Sequence, residues 1–523
     1  GFRPEALAEA ASAPFAENLD SLGWAKGFAS GARSGRDKRK EEAIKAAQEA
    51  EPALKEWAMP DRGGEPERRS LRRQSAKPIA DFPVGRFRRA MERLAELQLQ
   101  EGVAAEPYSS LLELEWRDAE ERWETDYGET DDGDSVDTLY SLIRWLFLHT
   151  VNKDASPGFP YMKLYSTNGR ILEVGTHFGL IVVLTVVRII DLTAVDASIL
   201  SAAEKVSLHL CDVIRLFVKL EPHKLVKIME GRFRLIMSVS IVDQLCERAT
   251  SYRQNTLEIA NYKRIPQQPG IGFGHDDEID AQIREELVTP AVRTKTKVFP
   301  SDQSGFDWHV HYEMGKADAW RRTFLMRAAL AKSRRRLPGH VERLLENQNA
   351  CAMHAVFVTS DGEFIAQKES GVQKSGRYNT SSTNSAIRAA AAFYCGARWC
   401  RAMGDDCIED DQVDSRLYAE LGFVLKPGKV GEIGEAFDFC SNLWYVDHLE
   451  PLNGTKMLYK HLLMGDPLDV GRVKQLVHDL RHCPERLRLL KAREVYLEAL
   501  SSGEEEAPEN DASDGVKDPE EGY

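Results

Sequence analysis

Carboxylate, hydroxyl and amide side chains concentrate in three separated segments of this chain, each with a spacing that has chemical meaning. The first is Val298-Phe-Pro-Ser-Asp-Gln-Ser-Gly-Phe-Asp-Trp308. Val298 and Phe299 favour a strand running into Asp302, and residues 309–331 are long and helical, so Asp302 is expected at a strand end with Asp307 on the turn behind it. Such a junction presents carboxylates into a cleft, although Asp and Ser are also ordinary turn residues. The second segment is Ser375-Gly-Arg-Tyr-Asn-Thr-Ser-Ser-Thr-Asn-Ser385, followed by the small residues 389–392. A helix beginning near Asn379 puts Thr380, Asn384 and Arg388 on one face, with Ser375 and Gly376 in a flexible loop at its start. Seven consecutive Ser, Thr or Asn residues, 379–385, oppose helix formation unless they contact something. The third segment is Cys400-Arg-Ala-Met-Gly-Asp-Asp-Cys-Ile-Glu409, in which Met403-Gly-Asp-Asp406 reads as a tight hairpin turn. Two adjacent carboxylates then stand at its tip, an arrangement equally at home on a solvated surface.

Holding three such segments together takes a large folded body, and the 523 residues suit about three structural units at roughly 150 residues each. With 42% hydrophobic and 29% charged residues, 37 Gly and 22 Pro, collagen-like, coiled-coil and wholly disordered classes are excluded. The apolar run 178–187 stops at Arg188 after ten residues, short of the ~20 that a bilayer requires, so no transmembrane helix is expected. No cleavable signal opens the chain, and a first residue of Gly rather than Met suggests a processed product or a fragment. Eight cysteines without a CxxC pair disfavour a zinc module or a disulfide framework and fit a reducing compartment.

The net charge of -14 is concentrated in two places: residues 113–137 carry -10 and residues 504–521 carry -8, which leaves +4 on the rest. A mildly basic body is compatible with phosphate binding in a local groove. Residues 62–89 hold nine basic against three acidic residues, including Arg68, Arg69, Arg72 and Arg73, and read as a solvated or mobile arm, with nucleic-acid contact as the alternative. Beyond these, an amphipathic helix is expected over 86–97, an exposed loop over 126–137, two helices in 472–500 separated by Pro484, and a disordered acidic tail over 501–523.

In order and spacing, Asp302-x4-Asp307, Ser375-Gly-x3-Thr380-x3-Asn384-Ser385 and Gly404-Asp405-Asp406 resemble the palm motifs of viral RNA-dependent RNA polymerases. The runs Tyr378-Asn-Thr-Ser-Ser-Thr-Asn-Ser385, Met403-Gly-Asp-Asp406 and Phe439-Cys-Ser441 look most like the sobemovirus, polerovirus and barnavirus branch of positive-strand RNA viruses. Further segments follow the same resemblance. Lys219-Leu-Glu-Pro-His-Lys224 with Lys227, Arg232 and Arg234 resembles the basic fingers motif that contacts the incoming triphosphate, and alternate residues Arg232 and Arg234 on an extended segment point to one side. Ser156-Pro-Gly158 resembles the template-entry motif, Phe439-Cys440-Ser441 the primer-grip hairpin, and Leu421-Gly-Phe-Val-Leu-Lys426 the motif that supplies a lysine near the leaving pyrophosphate, with Lys429 as a competitor.

The resemblance implies an α+β right-hand fold of fingers, palm and thumb, with an antiparallel palm sheet backed by helices. Its expected divisions are an N-terminal extension over 1–80, fingers over 81–235, palm over 236–307 and 375–448, a palm helix and fingers insertion over 308–374, and a thumb over 449–500. It implies two Mg²⁺ ions, replaceable by Mn²⁺, on Asp302 and Asp405 with Asp406 as a weaker ligand or outer partner, because hard oxygen ligands suit such ions and three carboxylates repel one another without one. Asp307, Ser375, Thr380 and Asn384 are then expected to form a hydrogen-bonded set that senses the ribose 2'-hydroxyl. The implied partners are an RNA template and nascent strand, ribonucleoside triphosphates, a genome-linked protein primer and a membrane-anchored replication protein, in host cytoplasm at membrane-associated complexes. A reverse transcriptase and a non-catalytic RNA-binding scaffold are the rival readings; the Asp307 and Asn384 pair argues against the first and the full set of carboxylates against the second.

Overall fold

The computed structural model describes residues 18–24, 38–75, 77–114 and 138–502. The expected loop 126–137, and the expected tail beyond Ser502, lie outside the described residues. The fold is mixed helix and sheet. Four antiparallel strands lie in the order Leu425–Pro427, Val298–Gln303, Asp406–Asp410, Cys400–Met403. Alternation along these strands splits the side chains between two cores. On one face Cys400, Ala402 and Cys407 meet the helix Thr380–Tyr394, whose residues 389–392 are four fully buried alanines. Such small side chains let the helix lie close to the sheet and to the next helix, Val84–Gln100, which the sequence places as an amphipathic helix within about three residues at each end. On the other face Val298 and Ile408 pack with Ile283 and Leu287 of the helix Asp277–Thr294 and with Phe437, Phe439 and Trp444 of a three-stranded sheet.

The long helix expected over 309–331 is present as Tyr312–Lys332, capped by His311, whose side chain accepts the Glu313 N–H, and a short helix, Phe306–His309, precedes it. The two expected C-terminal helices are present as Val470–Asp479 and Arg486–Ser502, with Pro484 between them.

Two expectations are corrected. The basic segment around Arg68 is not a solvated arm: the helix Gly64–Gln74 lies on a five-stranded sheet, and Arg68 pairs with Asp361 at 2.7 Å and Glu363 at 3.4 Å. That sheet runs Leu19–Trp24, Glu363–Gln367, Val356–Val358, Ile214–Val218, Leu235–Ser238, so residues from the expected extension, fingers and insertion share one structure. Further along, the helix Lys38–Ala50 packs on Arg486–Ser502, and Ala43, Ile44, Leu54 and Trp57 share a core with Leu458, Leu476, Leu489 and Tyr496. An arm with three acids to nine bases looked solvated only because its apolar partners lie in distant parts of the chain.

The second correction concerns the apolar run that ends at Arg188. It belongs to a 20-residue helix, Gly175–Ala194, which by length and composition alone is long and apolar enough to cross a membrane. Arg188 does not end the helix because its charge is neutralised inside the protein, by Asp212 at 2.7 Å and Asp243 at 2.9 Å. Phe178, Ile181, Val182, Val186 and Ile189 lie in a core with Leu142, Ile143 and Leu245, which gives the helix a packing role in this fold.

Candidate active site

Asp302 is the fifth residue of the strand Val298–Gln303, and its cross-strand partner is Lys426. That register brings Lys426 Nζ to 3.3 Å from Asp302 Oδ2, with both groups open to solvent. Lys429 lies beyond the end of the short strand Leu425–Pro427. On the other side of Asp302 the strands Cys400–Met403 and Asp406–Asp410 form a hairpin with Gly404 and Asp405 at its tip, Gly404 adopting φ +60°, which costs a residue without Cβ little. Asp405 opens to the cleft, yet the surrounding walls and the Asp302 carboxylate push its carboxyl above the usual range. Asp406 is pushed up to about 7 by burial and by Asp405, Asp302 and Asp438, against a hydrogen bond from the Cys440 backbone N–H. Asp438 is raised by burial and by Asp302.

Among the described residues no three His, Cys, Asp or Glu side chains stand close enough to enclose an ion. What the carboxylates do show is mutual repulsion, with Lys426 meeting one oxygen of Asp302 and no other ion pair at the tip among the described residues. Hard oxygen donors carrying surplus negative charge are a set that fits Mg²⁺ or Mn²⁺.

The polar run 379–385 is helical from Thr380, and almost every member has the contact that such a run requires. Asn379 Nδ2 donates to Ser251 Oγ at 3.0 Å, Arg322 donates to Ser382 Oγ at 2.9 Å, and Thr383 Oγ1 donates to Asp318 at 2.8 Å. Asp318 and Arg321 belong to a buried ion-pair group with Glu258, Arg321 lying 2.6 Å from Glu258 and 2.7 Å from Asp318. Asn384 Nδ2 donates to Asp307 Oδ1 at 2.7 Å, and Gln373 Nε2 donates to Asn384 Oδ1 at 3.0 Å, which fixes the orientation of the amide. Burial, with a contribution from Asp405, raises the Asp307 carboxyl to about 6.

The expected set of four is therefore smaller. Ser375 Oγ accepts the Met237 N–H at 3.1 Å, and Thr380 Oγ1 donates to the Lys374 and Arg377 carbonyls at 2.7 and 3.0 Å, so both shape the loop while Asp307 and Asn384 face each other. Gly376 earns its identity by contact: a Cβ there would lie 2.2 Å from the Met237 carbonyl oxygen.

The basic segment is similarly reordered. Arg234 pairs with Glu221 at 2.7 Å and Lys219 with the same carboxylate at 3.2 Å, while Arg232 pairs with Glu230. Lys227 has no carboxylate partner among the described residues; burial and the neighbouring Lys426, Arg232, Arg234 and Lys224 lower its pKa. Arg234 partly offsets the upward push on the Asp307 and Asp405 carboxyls, both of which stay raised.

Of the residues expected along template and primer, Phe439 is corrected. Gly158, at φ +71°, packs against the backbone before the helix Ile241–Ala260, where a Cβ would meet the Val239 carbonyl at 2.8 Å, and the Ser156 hydroxyl accepts its N–H at 3.3 Å. Cys440 and Ser441 turn the hairpin Phe437–Phe439 and Asn442–Trp444 beside Asp406. Phe439 is 1% exposed, with its carbonyl accepting the Trp444 indole N–H, so its side chain is core and does not face a primer.

Sequence reasoning missed three groups. Ser385 Oγ accepts the Gly404 N–H at 2.9 Å and so ties the polar helix to the hairpin tip. Arg388, fully buried, donates to the Ser301 carbonyl at 2.9 Å, to Ser301 Oγ at 2.6 Å and to Tyr418 at 2.8 Å, while Tyr418 donates to Glu409 at 2.7 Å. Its spacing from Asn384 was visible; its partners were not. Glu221 lay inside a motif read for its lysines.

Residues 177–445 match the family described as viral RNA-directed RNA-polymerase. The chain belongs to that family. It is 39% identical over 326 residues to the protein P1-P2 of Turnip yellows virus, covering 59% of this chain and 30% of that protein. It is 33% identical over 432 residues to the replicase polyprotein P2AB of Southern cowpea mosaic virus, covering 80% and 41%, and 32% identical over 466 residues to that of Cocksfoot mottle virus, covering 86% and 44%. The chain thus spans less than half the length of these relatives, which bear out the polerovirus and sobemovirus likeness.

Proposed function

We propose that this chain copies an RNA template into RNA from ribonucleoside triphosphates, as the polymerase part of a positive-strand RNA virus replicase. The observation that carries the reading is the meeting of Asp302 with the Asp405-Asp406 tip on neighbouring strands, opposite a cation group that includes the unpaired Lys227. In-line attack on an α-phosphorus is limited mostly by positioning and charge. Bound to Asp302, Asp405 and Asp406, a pair of Mg²⁺ ions, or Mn²⁺ in their place, would supply charge neutralisation for the attacking and leaving oxygens.

This chain's own side chains do the rest. Lys219, Lys227, Arg232 and Arg234 attract the triphosphate, the two arginines offering bidentate contacts. Lys426, beside Asp302, holds the proton for the departing pyrophosphate. Asn384, fixed by Asp307 and Gln373, meets the ribose 2'-hydroxyl. Ser375, Gly376 and Thr380 shape the loop below it, and Ser156, Gly158, Cys440 and Ser441 line the path of template and primer.

In right-hand terms the four-stranded sheet is the palm, the five-stranded sheet with the basic segment is the core of the fingers, and the helices after Gly454 are the thumb. Work beside a membrane-anchored replication protein, and priming by a genome-linked protein, rest on the family resemblance alone. The test is incorporation of labelled nucleotides on a homopolymeric RNA template with Mg²⁺ or Mn²⁺, offering ribo- and deoxyribonucleotides separately. Product from ribonucleotides alone supports the reading; equal use of deoxynucleotides would favour a reverse transcriptase.

A further inference from the structure

Glu221 is the meeting point of three cations from two distant parts of the chain. Arg234 and Lys219 reach it from the basic segment, and Lys456, on the helix Gly454–Leu463, reaches the same carboxylate oxygen as Arg234, at 3.4 Å. The carboxylate is largely buried, with a side chain 11% exposed, whereas the Arg234 side chain is 58% exposed toward the cleft. Beside this group lies the indole of Trp57. Its ring lies 6.0 Å from Lys224 Nζ and 5.7 Å from Lys456 Nζ, and its N–H donates to Thr455 Oγ1 at 3.1 Å. Trp57 itself pairs with Lys224 in a two-stranded ladder. Three segments therefore meet here: 57–58, 219–234 and 454–456.

One carboxylate cannot neutralise three cations, so they compete for it. When a triphosphate draws the exposed Arg234 away, Glu221 would be left buried and uncompensated unless another cation took over, a costly state. Lys456 is the group in position to do so, and its present 3.4 Å separation leaves room to shorten.

We propose that Lys456 is a positioning residue for nucleotide binding: it takes over Glu221 as Arg234 turns to the triphosphate, so that nucleotide binding and the closure of the 454–463 helix onto the basic segment favour each other. This rests on the polymerase reading and adds to it a thumb residue that acts on affinity for the nucleotide without touching it. By linkage, whatever tightens the Lys456 contact tightens the nucleotide, and the reverse.

The experiment measures binding of a fluorescent ribonucleoside triphosphate, then kcat and KM for incorporation, in the full chain and in Lys456→Gln, Lys456→Arg, Glu221→Gln and the Lys456→Gln/Glu221→Gln double variant. Thermal melts identify any variant that fails to fold. Lys456→Gln should weaken binding and raise KM about fivefold or more with kcat within about twofold, and Lys456→Arg should restore both. Glu221→Gln approaches the same pair without altering the thumb helix; the double variant should bind no worse than the weaker single one. Unchanged nucleotide affinity in a folded Lys456→Gln chain, or single effects that multiply in the double variant, would overturn the proposal. Nucleotide binding that depends on Lys456 in a chain that makes no template-directed product would support the coupling and count against the polymerase reading alone; absence of nucleotide binding in the unmodified chain would count against both.

Discussion

Asn384 meets Asp307 through a 2.7 Å hydrogen bond and is itself held by Gln373, so its amide has one fixed orientation. A deoxynucleotide would leave that amide with an unmade bond, worth about 1–3 kcal/mol in a dry site. Asn384→Ala should therefore cut the preference for ribo- over deoxyribonucleotides on the order of tenfold or more while total ribonucleotide incorporation changes less; competition assays on one template read it directly. At this scale much was legible. Local sequence placed Asp302 at a strand end and Asp405 and Asp406 at a hairpin tip, where an ordinary turn fitted as well; their role, and the grouping of Asp307 with Asn384, came from the resemblance of the three motifs taken together. Lys426 could not be separated from Lys429 by sequence, because the choice depends on strand register: pairing with Asp302 is a property of the sheet. Nor could Phe439 be seen to be core, since Trp444 and Phe437 enclose it only after the hairpin folds.

Elements are held in place by buried charge, which sequence shows poorly because the partners are far apart. Arg388 joins the polar helix to the strand bearing Asp302, through Ser301, and lies against Tyr418 and Glu409. Arg388→Leu would leave Glu409 buried without its cation, a loss of about 3–5 kcal/mol that urea denaturation should show. Glu409→Gln leaves the equally buried Arg388 without its carboxylate and should lower stability by a comparable amount. Glu221 gives a pH signature of its own. Burial pushes its carboxyl up, but Arg234, Lys456 and Lys219 together outweigh it and bring it from 4.5 down to about 2. A depressed carboxyl contributes stability fully above its unfolded value and loses it as pH falls toward the folded one. The stability difference between the unmodified chain and Glu221→Gln should thus be constant near neutrality and shrink from about pH 4.5 downward, as denaturation midpoints across that range will report. The lysines and arginines of this segment were legible as phosphate ligands; that its own acid, Glu221, holds two of them and is also reached by Lys456, 235 residues further along, was not.

For the molecule as a whole, the least legible feature was the N-terminal part. Its Ala-rich stretches and polar breaks left its role open, yet Leu19–Trp24 extends the five-stranded sheet and residues 43–57 complete a core with the last helices. Removing residues 1–58 would strip Ile44, Leu54 and Trp57 from Leu458, Leu476 and Tyr496. The shortened chain should expose this apolar surface and be cut by protease within 454–502 well before the intact chain, which limited proteolysis followed by mass spectrometry will show. The mixture of helix and sheet and the two C-terminal helices were readable because periodicity is local; the closure of the first segment on the last was not, because it is a pairing of distant apolar faces. All of this architecture converges on the acids of the four-stranded sheet, and the most direct test is to compare the intact chain with Asp405→Asn for incorporation of labelled ribonucleotides on an RNA template. The substitution keeps the shape of the hairpin tip and removes its charge. Template-dependent product from the intact chain that falls at least about a hundredfold in the variant is the predicted result; equal product from both would contradict the assignment of the site.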